Sequence, residues 1–284
     1  MIRQIAVVGS GTMGRGIAYL AAVAGYDTVI YDVDTAALDA ARASIASTLR
    51  KGIEKGKVSQ ETADAALARL QTVPELEPAV RSADLIIEAV PEIFDLKRDL
   101  FSQADLFCSE ETILATNTSS LSITSLAGCV ERRDRFVGMH FFNPPHVMKL
   151  VEIVRGERTS TDTIDAVRGV AEAMGKEPII VRDSPGFASS RLGVAIGLEA
   201  IRMLEDGVAS AQDIDRAMEL GYNHPMGPLR LTDLVGLDVR LKIAEYLAST
   251  IGPRFEPPAL LRRMVDEGKL GKKTGEGFYK WDER

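Results

Sequence analysis

The residues best suited to chemistry in this chain are a histidine and a glutamate in two neighbouring apolar runs. His140 stands near the end of RFVGMHFF and is followed by Asn-Pro-Pro, and Glu152 interrupts the next run, KLVEIV. A carboxylate is costly to bury without a partner, and a histidine is the obvious one. A neutral imidazole accepts a hydroxyl proton, while a carboxylate at its other nitrogen fixes the tautomer and steadies the imidazolium that forms. Proton exchange with an alcohol or a carbonyl is the chemistry such a pair suits. His146 is the alternative base, and a structural histidine is the alternative role for His140.

A second constellation suits a nucleotide. GSGTMG, Gly9 to Gly14, follows the run IAVV and precedes a helical pattern expected from about Met13 to Ala24. Gly9, Gly11 and Gly14 allow a tight turn, close approach to a pyrophosphate and close helix–strand packing. Ser10, Thr12 and Met13 complete the loop at the helix start. Asp32 closes the second run, TVIYD, where a carboxylate takes the ribose hydroxyls of an adenosine. The same charge repels a 2′-phosphate, so NAD is expected over NADP. Asp34 reads as a helix cap.

These residues need a scaffold, and the pattern supplies one. Up to about Asp183, the runs IAVV, TVIY, DLIIEAV, TILATN, RFVGMHFF, KLVEIV and PIIVRD alternate with helical stretches. Such alternation implies an α/β, doubly wound, dinucleotide-binding (Rossmann-type) domain with a mostly parallel sheet, whose carboxyl edge forms the ligand crevice. ALDAARASIASTLRKGIEKGKVSQETADAALARL reads as two helices broken near Gly56-Lys57-Val58, a helical insertion near 35–70 that projects from the sheet. After DSPG the remainder reads as helices separated by Gly and Pro. The expected domains are 1–183, binding NAD, and 184–284, an all-α domain.

Composition narrows the function classes. The 284 residues are 45% hydrophobic, ample for a sizeable core, and 34 Lys+Arg against 41 Asp+Glu give a net charge of −7 without a block of like charges. Neither nucleic acid nor an anionic membrane is an expected partner. No apolar run is long enough to span a bilayer, and MIRQIAVVGSG enters a strand at once without a leader pattern, so a cytoplasmic location is expected. Cys108 and Cys129 form no paired motif and read as reduced. The histidines His140, His146 and His224 offer no metal ligand set.

Taken together, GSGTMG, ATNTSSLSIT, MHFFNPPHVMKLVE, DSPGFASSRL, HPMGPLRLTDLVGLD and LGKKTGEGFYKW resemble the short-chain 3-hydroxyacyl-CoA dehydrogenase family, most closely its bacterial 3-hydroxybutyryl-CoA dehydrogenases. The resemblance runs over essentially the whole chain. It implies NAD-dependent interconversion of (S)-3-hydroxyacyl-CoA and 3-oxoacyl-CoA with short acyl chains. His140 is then the general base, Glu152 its orienting partner, and Ser119 a contact to the substrate oxygen and the nicotinamide. The resemblance further implies cofactor contacts from Glu92, Lys97, Asn117, Asn143 and Lys273, and contacts to the coenzyme A 3′-phosphate from Thr48 and Lys55 on the insertion. Ser190 stands where the family usually has asparagine, which puts acyl-chain preference in question, and His146 stands where proline is commoner.

Two rival functions share the scaffold: a 3-hydroxy acid or sugar-acid dehydrogenase that does not use coenzyme A, and a catalytically idle nucleotide-binding protein. The joint presence of His140, Glu152 and Ser119 counts against the idle protein. PGFASSRLGVAIGLEAIRMLEDG and LVGLDVRLKIAEYLAST carry more apolar surface than a domain of about 100 residues covers, so a homodimer through the second domain is expected.

Overall fold

Strands β1 (Gln4–Val8), β2 (Asp27–Tyr31), β3 (Leu70–Val73), β4 (Leu85–Glu88), β5 (Ile113–Thr116), β6 (Phe136–Phe141), β7 (Leu150–Arg155) and β8 (Glu177–Arg182) form one sheet in the order β3-β2-β1-β4-β5-β6-β7-β8. The structure is a computed structural model and describes residues 2–281. The first six strands pair in parallel, joined through α1 (Thr12–Val23), α2 (Thr35–Glu54), α3 (Gln60–Arg69), α4 (Leu76–Val80), α5 (Phe94–Phe107) and α6 (Ile123–Leu126). Strand β7 reverses direction against β6, because the Phe142–Lys149 connection is too short for a crossover helix. Helix α7 (Thr161–Ala173) provides such a crossover, and β8 returns parallel to β7.

Side-chain alternation divides the sheet into an apolar face and a mixed one. Ile5, Val7, Ile87, Ala115, Val137, Met139, Phe141, Val151 and Ile153 join one core cluster with residues of α1, α2, α3 and α7. Each fully buried Ile or Leu there contributes roughly 1.5–3 kcal/mol. By the period of two, Glu88, Thr116, His140 and Glu152 point to the opposite face, near the carboxyl ends of β4, β5 and β6.

Two expectations need correction. The sequence pattern predicts helix through Leu70 and no strand after it, where the structure has β3. LQTV is a four-residue edge strand with an exposed Gln71, too short for alternation to declare itself. Nor does the α2–α3 insertion simply project from the sheet. Leu38, Ile45, Leu49, Ala63 and Ala66 lie in the same core cluster as the strands, so the pair is an integral layer of the domain.

The chain divides into two units between Ser184 and Pro185. The second comprises α8 (Ser189–Glu205), α9 (Ala211–Tyr222), α10 (Pro228–Val235), α11 (Leu237–Ile251) and α12 (Ala259–Asp266), around Val194, Leu198, Ile201, Leu229, Leu237, Leu247 and Leu261. Two buried carboxylates hold the terminal GFYKW segment against them. Asp233 accepts from the Phe278 and Tyr279 N–H groups, each at 2.9 Å, and from the Trp281 indole N–H at 2.8 Å. Asp215 accepts from the Leu229 and Arg230 N–H groups at 2.8 and 2.9 Å and from the Tyr279 hydroxyl at 2.7 Å.

Candidate active site

The turn between β1 and α1 is shaped by steric necessity. A Cβ at Gly14 would lie 1.7 Å from the Gly9 carbonyl oxygen, so only glycine lets the helix start against the turn. Gly9 has φ +102° and sits under the Ala89 carbonyl, 2.8 Å from where its Cβ would be. Gly11 is exposed, and a Cβ there meets nothing within 4 Å, which leaves open space before the first turn of α1. That turn has no side-chain cap. Its N–H groups are thus available to an anion, as a pyrophosphate requires.

Asp32 sits just beyond β2. It accepts from the Ser10 N–H at 2.8 Å and the Ser10 hydroxyl at 2.7 Å, and from the Asp34 N–H at 3.2 Å. Burial works to raise its carboxyl, but these hydrogen bonds outweigh it and hold the group below the ordinary carboxylate range. Ser10 is itself buried, so it orders the loop from beneath. The loop and Asp32 line a cavity of about 880 Å³ whose far wall includes Leu96 and Gln103 of α5. Asp34 caps α2, accepting from the Ala36 N–H at 2.9 Å.

His140 and Glu152 face each other directly across the antiparallel β6–β7 pair. His140 Nδ1 lies 2.8 Å from Glu152 Oε2, with the histidine 7% exposed and the glutamate fully buried. His146 lies edge-on to Tyr19, with ring centroids 6.1 Å apart. Burial, aided by Lys176 and Lys57, lowers the His146 imidazole, which keeps it neutral over a wider pH range.

Ser119 lies on the loop after β5, with Glu92 against it. Glu92 Oε1 accepts from the Thr118 hydroxyl at 2.6 Å, from the Ser119 N–H and hydroxyl at 2.9 and 3.2 Å, and from the Ser120 N–H at 3.2 Å. Burial tends to raise the Glu92 carboxyl, but Lys97 and these donors hold it below its usual value. Ile93 is the N-cap of α5, with Glu92 just before it. Lys97 is 1% exposed and ion-paired with Glu88 and Glu92. The Asn117 Oδ1 accepts from the Phe141 N–H at 2.8 Å, so this side chain ties β5 to the strand that carries His140.

The remaining predicted residues have surroundings of their own. Asn143 precedes a cis peptide bond to Pro144 and lines a small cavity of about 130 Å³ with Arg15, Thr48 and His146. The Thr48 hydroxyl donates to the Ser44 carbonyl at 2.9 Å within α2, and Lys55 is exposed at that helix's end. Ser190 is half-buried in the first turn of α8, and Lys273 Nζ pairs with Asp238 at 2.5 Å within the second unit. Sequence reasoning passed over Glu88, although an acidic residue closing the apolar run LIIE carries the same signal that singled out Glu152.

Residues 4–184 match the family model described as 3-hydroxyacyl-CoA dehydrogenase, NAD binding domain, and residues 186–281 match the 3-hydroxyacyl-CoA dehydrogenase, C-terminal domain. The chain belongs to the 3-hydroxyacyl-CoA dehydrogenase family. It is 45% identical over its full length to the probable 3-hydroxybutyryl-CoA dehydrogenase of Bacillus subtilis (strain 168), covering 99% of that protein. Against the mitochondrial hydroxyacyl-coenzyme A dehydrogenase of Homo sapiens, identity is 42%, with 99% of this chain and 92% of that protein aligned. The crystal structure of (S)-3-hydroxybutyryl-CoA dehydrogenase PaaH1 from Ralstonia eutropha superposes with a TM-score of 0.96 at 43% identity, covering all of both chains. This 3-hydroxyacyl-CoA dehydrogenase family member is an NAD-dependent oxidoreductase. The open space at Gly11 and the uncapped start of α1 fit the cofactor that its N-terminal domain binds.

Proposed function

We propose that this protein interconverts (S)-3-hydroxyacyl-CoA and 3-oxoacyl-CoA, with short chains such as 3-hydroxybutyryl-CoA and acetoacetyl-CoA as its substrates. The observation that carries the reading is the buried His140–Glu152 pair at 2.8 Å near the carboxyl edge of the sheet. Relatives named 3-hydroxybutyryl-CoA dehydrogenase, aligned over nearly the whole chain, support the substrate class. NAD, when bound, supplies the hydride acceptor for oxidation.

The work of this chain is to hold groups and to move one proton. With Nδ1 engaged by Glu152, proton exchange with the substrate hydroxyl falls to Nε2 of His140. Oxidation needs the neutral ring, and Glu152 stabilises the imidazolium that oxidation produces. Ser119 steadies the substrate oxygen, with Glu92 fixing its loop. Gly9 to Gly14 and Asp32 hold the pyrophosphate and adenosine ribose; Glu92, Lys97, Asn117, Asn143 and Lys273 serve the nicotinamide half. Thr48 and Lys55 meet coenzyme A, and Ser190 meets the acyl portion.

No helix of the described residues is long and apolar enough to cross a membrane. A cytoplasmic homodimer through the C-terminal unit completes the reading. Leu192, Leu220 and Tyr222, at 64%, 74% and 76% exposure, supply apolar surface for it. The test is NADH oxidation against acetoacetyl-CoA, longer 3-oxoacyl-CoAs and free 3-oxo acids, compared by kcat/KM. A preference for free acids overturns the coenzyme A assignment, and sedimentation as a monomer overturns the dimer.

A further inference from the structure

Glu88 ends β4 fully buried, and the ammonium it meets, Lys97, is 1% exposed. Three donors converge on this carboxylate. Lys97 Nζ lies 2.6 Å and the Val90 N–H 2.7 Å from Oε1, and the Thr116 hydroxyl donates to Oε2 at 2.6 Å. Sheet register puts Thr116 directly beside Glu88. Burial pushes the carboxyl up from its usual range against the opposing pull of Lys97 and these hydrogen bonds.

Such a pair is a poor source of stability, because apolar residues of similar volume often do as well or better. Its geometry points instead to what Lys97 does on its outer side. There Nζ lies 3.2 Å from Glu92 Oε2, and it also donates to the Val90 carbonyl at 3.3 Å. Glu92 stands at the surface, and its other oxygen gathers the Thr118, Ser119 and Ser120 donors. The alternating charges Glu88, Lys97 and Glu92 therefore connect the buried end of β4 to the loop that carries Ser119.

Asp32 marks the adenosine half of the crevice. A dinucleotide crossing the Gly9–Gly14 turn reaches the carboxyl ends of β4 and β5 on the other side. We propose that Glu88 is a positioning residue for the nicotinamide half of the cofactor: it anchors Lys97, and through Lys97 it fixes the Glu92 carboxylate that orders Thr118 to Ser120. The inference rests on the reading that Glu92 and Ser119 serve the cofactor.

The discriminating variant is Glu88→Gln, which leaves Lys97 and Glu92, both assigned to the cofactor, in place and still paired with each other. Loss of one anchoring interaction is expected to weaken NADH binding by about tenfold. ADP-ribose, which lacks the nicotinamide, should bind unchanged. Glu88→Asp, which keeps the anchoring charge on a shorter side chain, reads the same ratio, so the test survives a Glu88→Gln protein that fails to fold.

Equal weakening of NADH and ADP-ribose makes the loss a general structural one and overturns the proposal, as does unchanged NADH binding. Glu92→Gln separates the two layers of the argument. If it leaves NADH affinity intact, the assignment of Glu92 to the cofactor fails. If it weakens NADH while the Glu88 variants do not, that assignment stands and the role of Glu88 fails.

Discussion

Arg240 of α11 is buried, its Nε has no acceptor among the described residues, and replacing it should stabilise the protein. Its guanidinium lies over Gly193 of α8, where a Cβ would stand 3.2 Å from Nη1. The side chain is 7% exposed, and Nε has no hydrogen-bond partner among the described residues. Burial lowers the ionisation of this guanidinium well below its ordinary value, to about 10. At about 1.36 kcal/mol per unit, keeping it charged costs the fold about 3 kcal/mol. For a base lowered in the folded state, that cost is complete below about pH 10 and fades as pH rises toward the unfolded value.

Arg240→Met keeps much of the aliphatic stem and removes the charge, so the C-terminal unit should gain about 2–3 kcal/mol at neutral pH. The assay is urea unfolding followed by fluorescence of Trp281, the only tryptophan, which is hydrogen-bonded to Asp233 in the same unit. The unfolding midpoint should rise at pH 7, and the gain should shrink measurably by about pH 11. A lowered midpoint would refute the net cost assigned to the buried guanidinium. A gain that does not change with pH would refute the assignment to desolvation.

Three predictions bear on the site. His140→Gln should lower kcat for acetoacetyl-CoA reduction by roughly a hundredfold or more while NADH affinity survives, and His146→Gln should leave kcat intact; the reverse pattern makes His146 the base. Asp32→Ser removes the charge that repels a 2′-phosphate and should narrow the preference for NADH over NADPH in kcat/KM; equal wild-type use of both cofactors contradicts the placement of Asp32. Ser190→Asn should remain active with an altered order of preference among acyl-CoA chain lengths, and an unchanged profile excludes Ser190 from specificity.

The chemistry was more legible in the sequence than its support. Asp32 and the Gly9–Gly14 turn announce themselves through local geometry, since a short turn between a strand and a helix leaves glycine little substitute. Glu152 was visible because a carboxylate in KLVEIV demands a partner and His140 stands in the preceding run. Glu88 carries the same demand, but its partner Lys97 lies on a helix among other charged residues and looks solvated until α5 packs on the sheet. Arg240 in DVRLK is equally indistinguishable from a surface arginine before α8 and α11 meet. What stayed hidden depends on which face of a helix is covered, a property of the assembled layers rather than of local spacing.

The reversal of β7 explains why the acid–base pair can form at this edge. In the parallel part of the sheet, polar residues on the mixed face collect at strand ends: Glu88 on β4, Thr116 on β5 and His140 on β6. A further parallel strand would begin at the opposite edge and bring its own end to this one only after a full traverse. The short Phe142–Lys149 connection turns the chain back at once, so the start of β7 lies beside the end of β6. Glu152, third in β7, then falls directly opposite His140, and cross-strand register sets their approach without a flexible loop. The cost of burying these polar groups is thus confined to one edge, where each meets a partner: Glu88 with Lys97 and Thr116, His140 with Glu152. The apolar faces of β1, β4, β5, β6 and β7 beneath them join one core cluster, which no buried charge among the described residues interrupts.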